Sequence, residues 1–189
     1  MARARGSLDH VSNTYAIRTF GDPVLRERAG DVEELDGHLA GVVRNMFDTM
    51  YEAPGLGLAA PQVGVRRRLF VYDIGDGPEV FVNPVIEESE GVWAFEEGCL
   101  SIPGLSFVIE RPRKVTLRGL DLQGREQVVV GDELLGRVFL HELDHLDGVL
   151  LIDRLEGDDR KVAMRVLRER AMGAAPASGA LRPAPRGAL

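Results

Sequence analysis

The 189-residue chain holds one cysteine, one tryptophan and four histidines, and nowhere does it approach the roughly 18 uninterrupted apolar residues of a membrane helix. A single cysteine excludes an internal disulfide, so Cys99 is either a small buried apolar residue or a chemically used thiol. The start, MARARGSLDHVSNTYAIRTFGD, is basic but lacks the apolar stretch of a secretory signal. These absences lead to the expectation of a cytoplasmic protein with no membrane partner. Positive charge is also short, with 23 Lys and Arg against 30 Asp and Glu for a net charge of −7. The deficit is uneven, because residues 157–189 are net +4 and leave the body at −11. So acidic a body argues against general DNA binding.

No repeat and no linker divides the chain before about residue 157. In LAGVVRNMFDTM, residues 39–50, the residues Leu39, Val42, Val43, Met46, Phe47 and Met50 recur at helical spacing, which predicts an amphipathic helix ending near Pro54 and Gly55. The loop GLGLAAPQVG follows, and then short runs of β character: RLFVYDI, EVFVNPVIE, VWAFE, LSFVIE, KVTLRGLDL and REQVVVG. A second helix is predicted from an Asp132 cap to Gly148 through DELLGRVFLHELDHLDG. The expected fold is α+β, with several mostly antiparallel strands around that central helix.

Two of the four histidines, His141 and His145, stand four residues apart in HELDH with Glu142 between them. One helical turn separates positions i and i+4, so both imidazoles can face one ion while Glu142 lies beside it as a proton acceptor for activated water. A catalytic site of this kind needs a third protein ligand and an open position. After His145 the chain offers no histidine, and Asp147, Asp153 and Glu156 have no helical placement toward the ion. Upstream, the candidate is Cys99 in EEGCLSIPG. A thiolate with two imidazoles suits zinc, and it accommodates Fe(II) as well. The loop GLGLAAPQVG lacks the Lys-Ser/Thr of a phosphate-binding loop. Its glycines better suit close approach of backbone to an extended peptide.

Three segments in this order, GLGLAAPQ at 55–62, EGCLS at 97–101 and HELDH at 141–145, resemble the three motifs of peptide deformylases. The likeness runs from about residue 15 to 156, including GDPVLR at 21–26 and GVLLIDRL at 148–155. It implies a metal-dependent hydrolase that removes the N-formyl group from the N-terminal formylmethionine of newly synthesised proteins and releases formate. It further implies that Cys99, His141 and His145 hold one divalent ion, Fe2+ in most relatives, with Ni2+, Co2+ or Zn2+ able to substitute. Glu142 is then the general base and acid acting on metal-activated hydroxide, while the Gln62 side chain and the Leu100 backbone N–H stabilise the oxyanion. Gly57, Leu56, Glu97, Gly98 and Val138 are the expected substrate-binding residues, with Leu134 a further candidate for the methionine pocket. Glu97 would bind substrate backbone or structure the site, and an exposed place in the acidic pair with Glu96 is an equal alternative.

The chain departs from the family at two positions. Leu140 stands where relatives commonly have Gln, and Arg137 where the pocket side of the helix is often apolar. Arg137 either faces the pocket and alters preference, or extends to solvent over its apolar stem. The expected organisation is a catalytic domain at 1–156, a basic helix at 157–172 and a disordered tail at 173–189. For the basic helix, charge pairing with its own dipole competes with contact to ribosomal RNA. Two other functions are weighed against deformylation: a metallopeptidase cutting internal bonds, and a metal-binding scaffold without activity. His10 and His38 are assigned no role.

Overall fold

The predicted apolar stripe does form one face of a helix in the computed structural model, which describes residues 13–173. This helix, α1 (Gly37–Glu52), starts two residues before the expected position because Asp36 caps it, accepting the Leu39 N–H at 2.8 Å. Leu39, Val42, Val43, Met46 and Met50 are buried against the sheet, whereas Phe47 turns partly outward and stacks on Tyr51.

Seven strands follow the element order β1 (Gly57–Ala59), β2 (Leu69–Tyr72), β3 (Glu79–Glu90), β4 (Trp93–Gly98), β5 (Ser106–Arg111), β6 (Lys114–Leu120) and β7 (Glu126–Asp132). Five of them form a sheet in the order β1-β2-β3-β6-β7, and β4 and β5 form a separate hairpin. Every pairing between these strands is antiparallel, so the α+β expectation stands. Each of the six predicted β runs overlaps one strand, β3 and β4 extending two or more residues past their runs. The seventh, β1, lies inside the glycine-rich stretch that reads as a loop, since three residues are too few to show a period of two.

Helix α2 (Glu133–Leu146) begins at the predicted Asp132 cap. Beyond its end Gly148 adopts φ +73°, the left-handed conformation glycine takes most easily. Phe139 fixes how α2 sits on the sheet: its ring meets Tyr72 edge-on at 5.2 Å and Phe81 at 5.4 Å, with Phe70 completing the cluster. Burying one such ring contributes roughly 1.5–3 kcal/mol, and edge-on pairs add about 0.5–1.5 kcal/mol. The same contact turns the opposite face of α2, with both motif histidines, away from the sheet.

Helix α3 (Gly157–Ala171) packs Ala163, Val166 and Leu167 into a cluster with Cys99, Ile102, Leu150, Ile152 and Leu155. Its exposed side carries Lys161, Arg165 and Arg168. The tail expected to be disordered lies, apart from Gly173, outside the described residues, as does His10. No helix among the described residues is long and apolar enough to cross a membrane.

Candidate metal centre

Both histidines are almost wholly buried, at 2% exposure for His141 and 1% for His145. Cys99 comes from the turn after β4, reached through the buried Gly98, and its Sγ lies 3.2 Å from Nε2 of His145. One ligand atom from each of Cys99, His141 and His145 lies within 4.8 Å of the others. Residues 46 positions apart in sequence thus converge on one point.

The side-chain atoms around this point fit a cation. His141 Nε2 and both carboxylate oxygens of Glu142 are buried without a hydrogen-bond partner. Each such atom costs roughly 1–3 kcal/mol if nothing satisfies it. An ion bound by imidazole and thiolate gives the donor set its use, and soft sulfur with two nitrogens suits Zn, Fe(II), Co or Ni. Burial pushes the Cys99 thiol up to about 12, aided by the negative charge of Glu142 and opposed by N–H groups of Ser101 and Ile102. A bound cation reverses that balance, because a coordinating thiol is deprotonated outright. Burial, followed by the charges of His141 and Arg111, holds His145 well below the usual histidine range. The neutral imidazole is the form that ligates.

Glu97 organises the buried charge behind His141. It is fully buried and accepts Arg111 Nε at 2.7 Å and Nη2 at 2.9 Å, Arg137 Nη1 at 2.6 Å and His141 Nδ1 at 3.0 Å. Burial alone pushes this carboxyl up, but the hydrogen bonds from His141 and Arg111 and their charges outweigh it and hold Glu97 well below the usual carboxylate range. An ionised carboxylate only accepts, so the bond from Nδ1 of His141 is a donation, and Nε2 is the ring nitrogen that can face an ion. The equal alternative of an exposed Glu97 is thereby excluded.

Arg137 reaches neither solvent nor an open pocket. Its side chain is completely buried, donating also to Ile109 O at 3.0 Å and to Trp93 O, with the guanidinium 5.3 Å from the Trp93 ring centroid. Both options read from the sequence are corrected, because a carboxylate inside the protein gave the cation a partner. Asp144, between the two histidines in sequence, turns away from them and pairs with Arg111 at 2.7 Å and with Arg154. At the Gln-to-Leu departure, Leu140 supplies only a carbonyl, 3.5 Å from Arg111 Nη1.

Glu142 lies against Gly57, where a β-carbon would sit 2.5 Å from its Oε1. Burial raises its carboxyl well above the usual range. Gln62 is fully buried, its Oε1 accepting Ala59 N–H at 2.8 Å and its Nε2 donating to Ser101 Oγ at 3.2 Å. Leu56 and Val138 pack in one cluster, Leu100 is partly buried in the turn after Cys99, and Leu134 is only partly buried near the start of α2. Arg111 and Ser101 were not singled out from the sequence. Arg111 had a signal: it shares the inward phase of β5 with Ile109, and an arginine at an inward strand position needs a buried anion.

The polypeptide deformylase family model matches residues 14–161. A peptide deformylase of Clostridium botulinum is 51% identical over 138 residues, covering 73% of this chain and 94% of that protein. The crystal structure of a peptide deformylase from Legionella pneumophila superimposes with a TM-score of 0.80 at 41% identity, over 87% of this chain and all of that one. A peptide deformylase from Synechococcus elongatus, solved in complex with actinonin, gives 0.77 at 41% identity over 89% of this chain and 92% of that one. A match of this extent, spanning the segments that bring Cys99, His141 and His145 together, places the chain in the polypeptide deformylase family.

Proposed function

We propose that this hydrolase removes the formyl group from the N-terminal formylmethionine of newly made polypeptides, releasing formate and a free amine. The observation that carries the reading is the buried, unpartnered Glu142 carboxylate beside the convergent Cys99, His141 and His145. Cys99, His141 and His145 would hold the ion, Fe2+ in the first instance, and it would supply the Lewis acidity that makes water a nucleophile near neutral pH. Glu142 accepts the proton that water loses as its oxygen bonds to the formyl carbon, and delivers it to the amine nitrogen as the C–N bond breaks. The Leu100 N–H and the Gln62 amide donate to the oxygen that becomes negative. Gly98 and Gly57 give an extended peptide close access to backbone, and Leu56 and Val138 form an apolar wall for the methionine side chain. Glu97, expected from the resemblance to bind substrate backbone or to structure the site, accepts from Nδ1 of His141 and so orients that imidazole.

The test is formate release from an N-formyl-Met peptide by protein purified without oxygen, with the same peptide watched for internal cleavage. Formate without cleavage is expected. Cleavage without formate moves the chain to the peptidases, and metal binding with neither product makes it a scaffold.

A reaction on nascent chains belongs in the cytoplasm, next to the ribosome. The packed side of α3 accounts for that helix structurally. Lys161, Arg165 and Arg168 recur on its exposed side at spacings of four and three, which favours contact with ribosomal RNA as a second role. Reversing these three charges leaves the packed side intact and is expected to weaken co-sedimentation with ribosomes at low salt; unchanged co-sedimentation removes the role.

A further inference from the structure

Gln62 can serve an oxyanion only if one of its N–H bonds points at the reacting oxygen. The amide nitrogen carries two hydrogens, and the buried surroundings settle the use of one. Oε1 accepts the Ala59 N–H at 2.8 Å, so the oxygen end of the amide is fixed. Nε2 donates to Ser101 Oγ at 3.2 Å. Both side chains have 0% exposure, so water does not readily replace either bond. One N–H remains for a ligand, and its direction is set by the hydroxyl that holds the other.

Ser101 is itself anchored from outside the centre, its carbonyl accepting the Phe20 N–H at 2.9 Å. It also directly follows Leu100, whose backbone N–H is the other oxyanion donor under the deformylase reading. The two donors come from distant parts of the chain, one from the turn after β1 and one from the turn after β4. The Gln62–Ser101 bond ties the two turns together directly. Donors must lie about 2.7–3.1 Å from the oxyanion, and a displacement of about 1 Å can cost 100-fold in rate.

We propose that Ser101 is a positioning residue, whose hydroxyl aims the second Nε2–H of Gln62 and sets its spacing from the Leu100 N–H. This inference rests on the deformylase reading and assigns its oxyanion site a part beyond the two donors. If Ser101 acts only through Gln62, removing it has no further effect once the Gln62 amide is gone. A general loss of packing persists in both backgrounds.

The experiment is a double-mutant cycle on metal-loaded enzyme with an N-formyl-Met peptide, using wild type, Ser101→Ala, Gln62→Ala and the double variant. Metal content and Tm are read for each. Ser101→Ala is expected to lower kcat about tenfold with KM and metal content little changed, and to lower Tm by a few degrees because one buried N–H loses its acceptor. In the Gln62→Ala background the same substitution should change kcat less than about twofold. Ser101→Gly, which removes the same hydroxyl, is carried alongside in case the alanine variant folds poorly. An equal loss in both backgrounds, or no loss in the wild-type background, overturns the proposal. Wild-type protein that releases no formate overturns the deformylase reading itself and this inference with it, a different outcome from active wild type with additive variants.

Discussion

Gly57 and Glu142 occupy adjoining space with no room for one more carbon: a β-carbon on Gly57 would lie 2.5 Å from Oε1 and 2.9 Å from the carboxyl carbon of Glu142. Glu142 is fixed from below by α2, while Gly57 is fixed by pairing with Tyr72 in the sheet. Gly57→Ala is therefore expected to displace the Glu142 carboxylate. A shift of about 1 Å in a catalytic group costs on the order of 100-fold, and the three metal ligands are untouched. The check is kcat alongside metal content: a large fall in kcat at full metal occupancy is expected, and near-normal turnover contradicts the assigned crowding.

Glu142→Gln retains the volume of the side chain and removes its ability to take a proton. General acid–base catalysis contributes roughly 10²–10⁴-fold, so kcat should fall by that order while the protein still binds one ion. Metal analysis and steady-state kinetics on the same preparation separate the two effects. A glutamine variant with rates near wild type takes the proton-transfer role away from this residue.

Cys99, His141 and His145 are expected to behave differently, because each offers a ligand atom to the proposed ion. Cys99→Ser and His141→Ala should lose both metal and activity. An ion that binds the folded state alone stabilises it by mass action, so a chelator should lower the Tm of wild type and leave that of His141→Ala almost unchanged. Equal chelator sensitivity in the two proteins places the ion elsewhere.

The helix carrying this site was legible because its signals are local. Asp132 caps it, the apolar positions of VFLHELDHL repeat at helical spacing, and the two histidines share a face by periodicity alone. The convergence of Cys99 was reachable only by seeking a third ligand, since 46 residues separate it from His145 and no local pattern joins them. The buried charges were not legible for a related reason. Whether Arg137 snorkels or is buried depends on a carboxylate 40 positions earlier, delivered by the β4–β5 hairpin. Strand β1 escaped notice because its three residues gain their order from Phe70 to Tyr72, not from their own sequence.

The Glu97 cluster makes a ranked prediction that separates a carboxylate from its cations. Removing Glu97 leaves Arg137 and part of Arg111 buried without their anion, and breaking a buried pair from one side costs about 3–5 kcal/mol. Removing Arg137 instead leaves Glu97 with both bonds from Arg111 and the bond to His141. Unfolding free energies should therefore fall further for Glu97→Ala than for Arg137→Met. Metal affinity should follow the same order, because Glu97 holds the tautomer of His141, and partners of this kind are worth roughly 10–100-fold in affinity. Denaturant unfolding of the metal-free proteins, followed by competition with a metal indicator, reads both quantities. Arg137→Met proving the more damaging variant in both would mean that the guanidinium, through Trp93 and Ile109, holds the hairpin in place and Glu97 merely neutralises it.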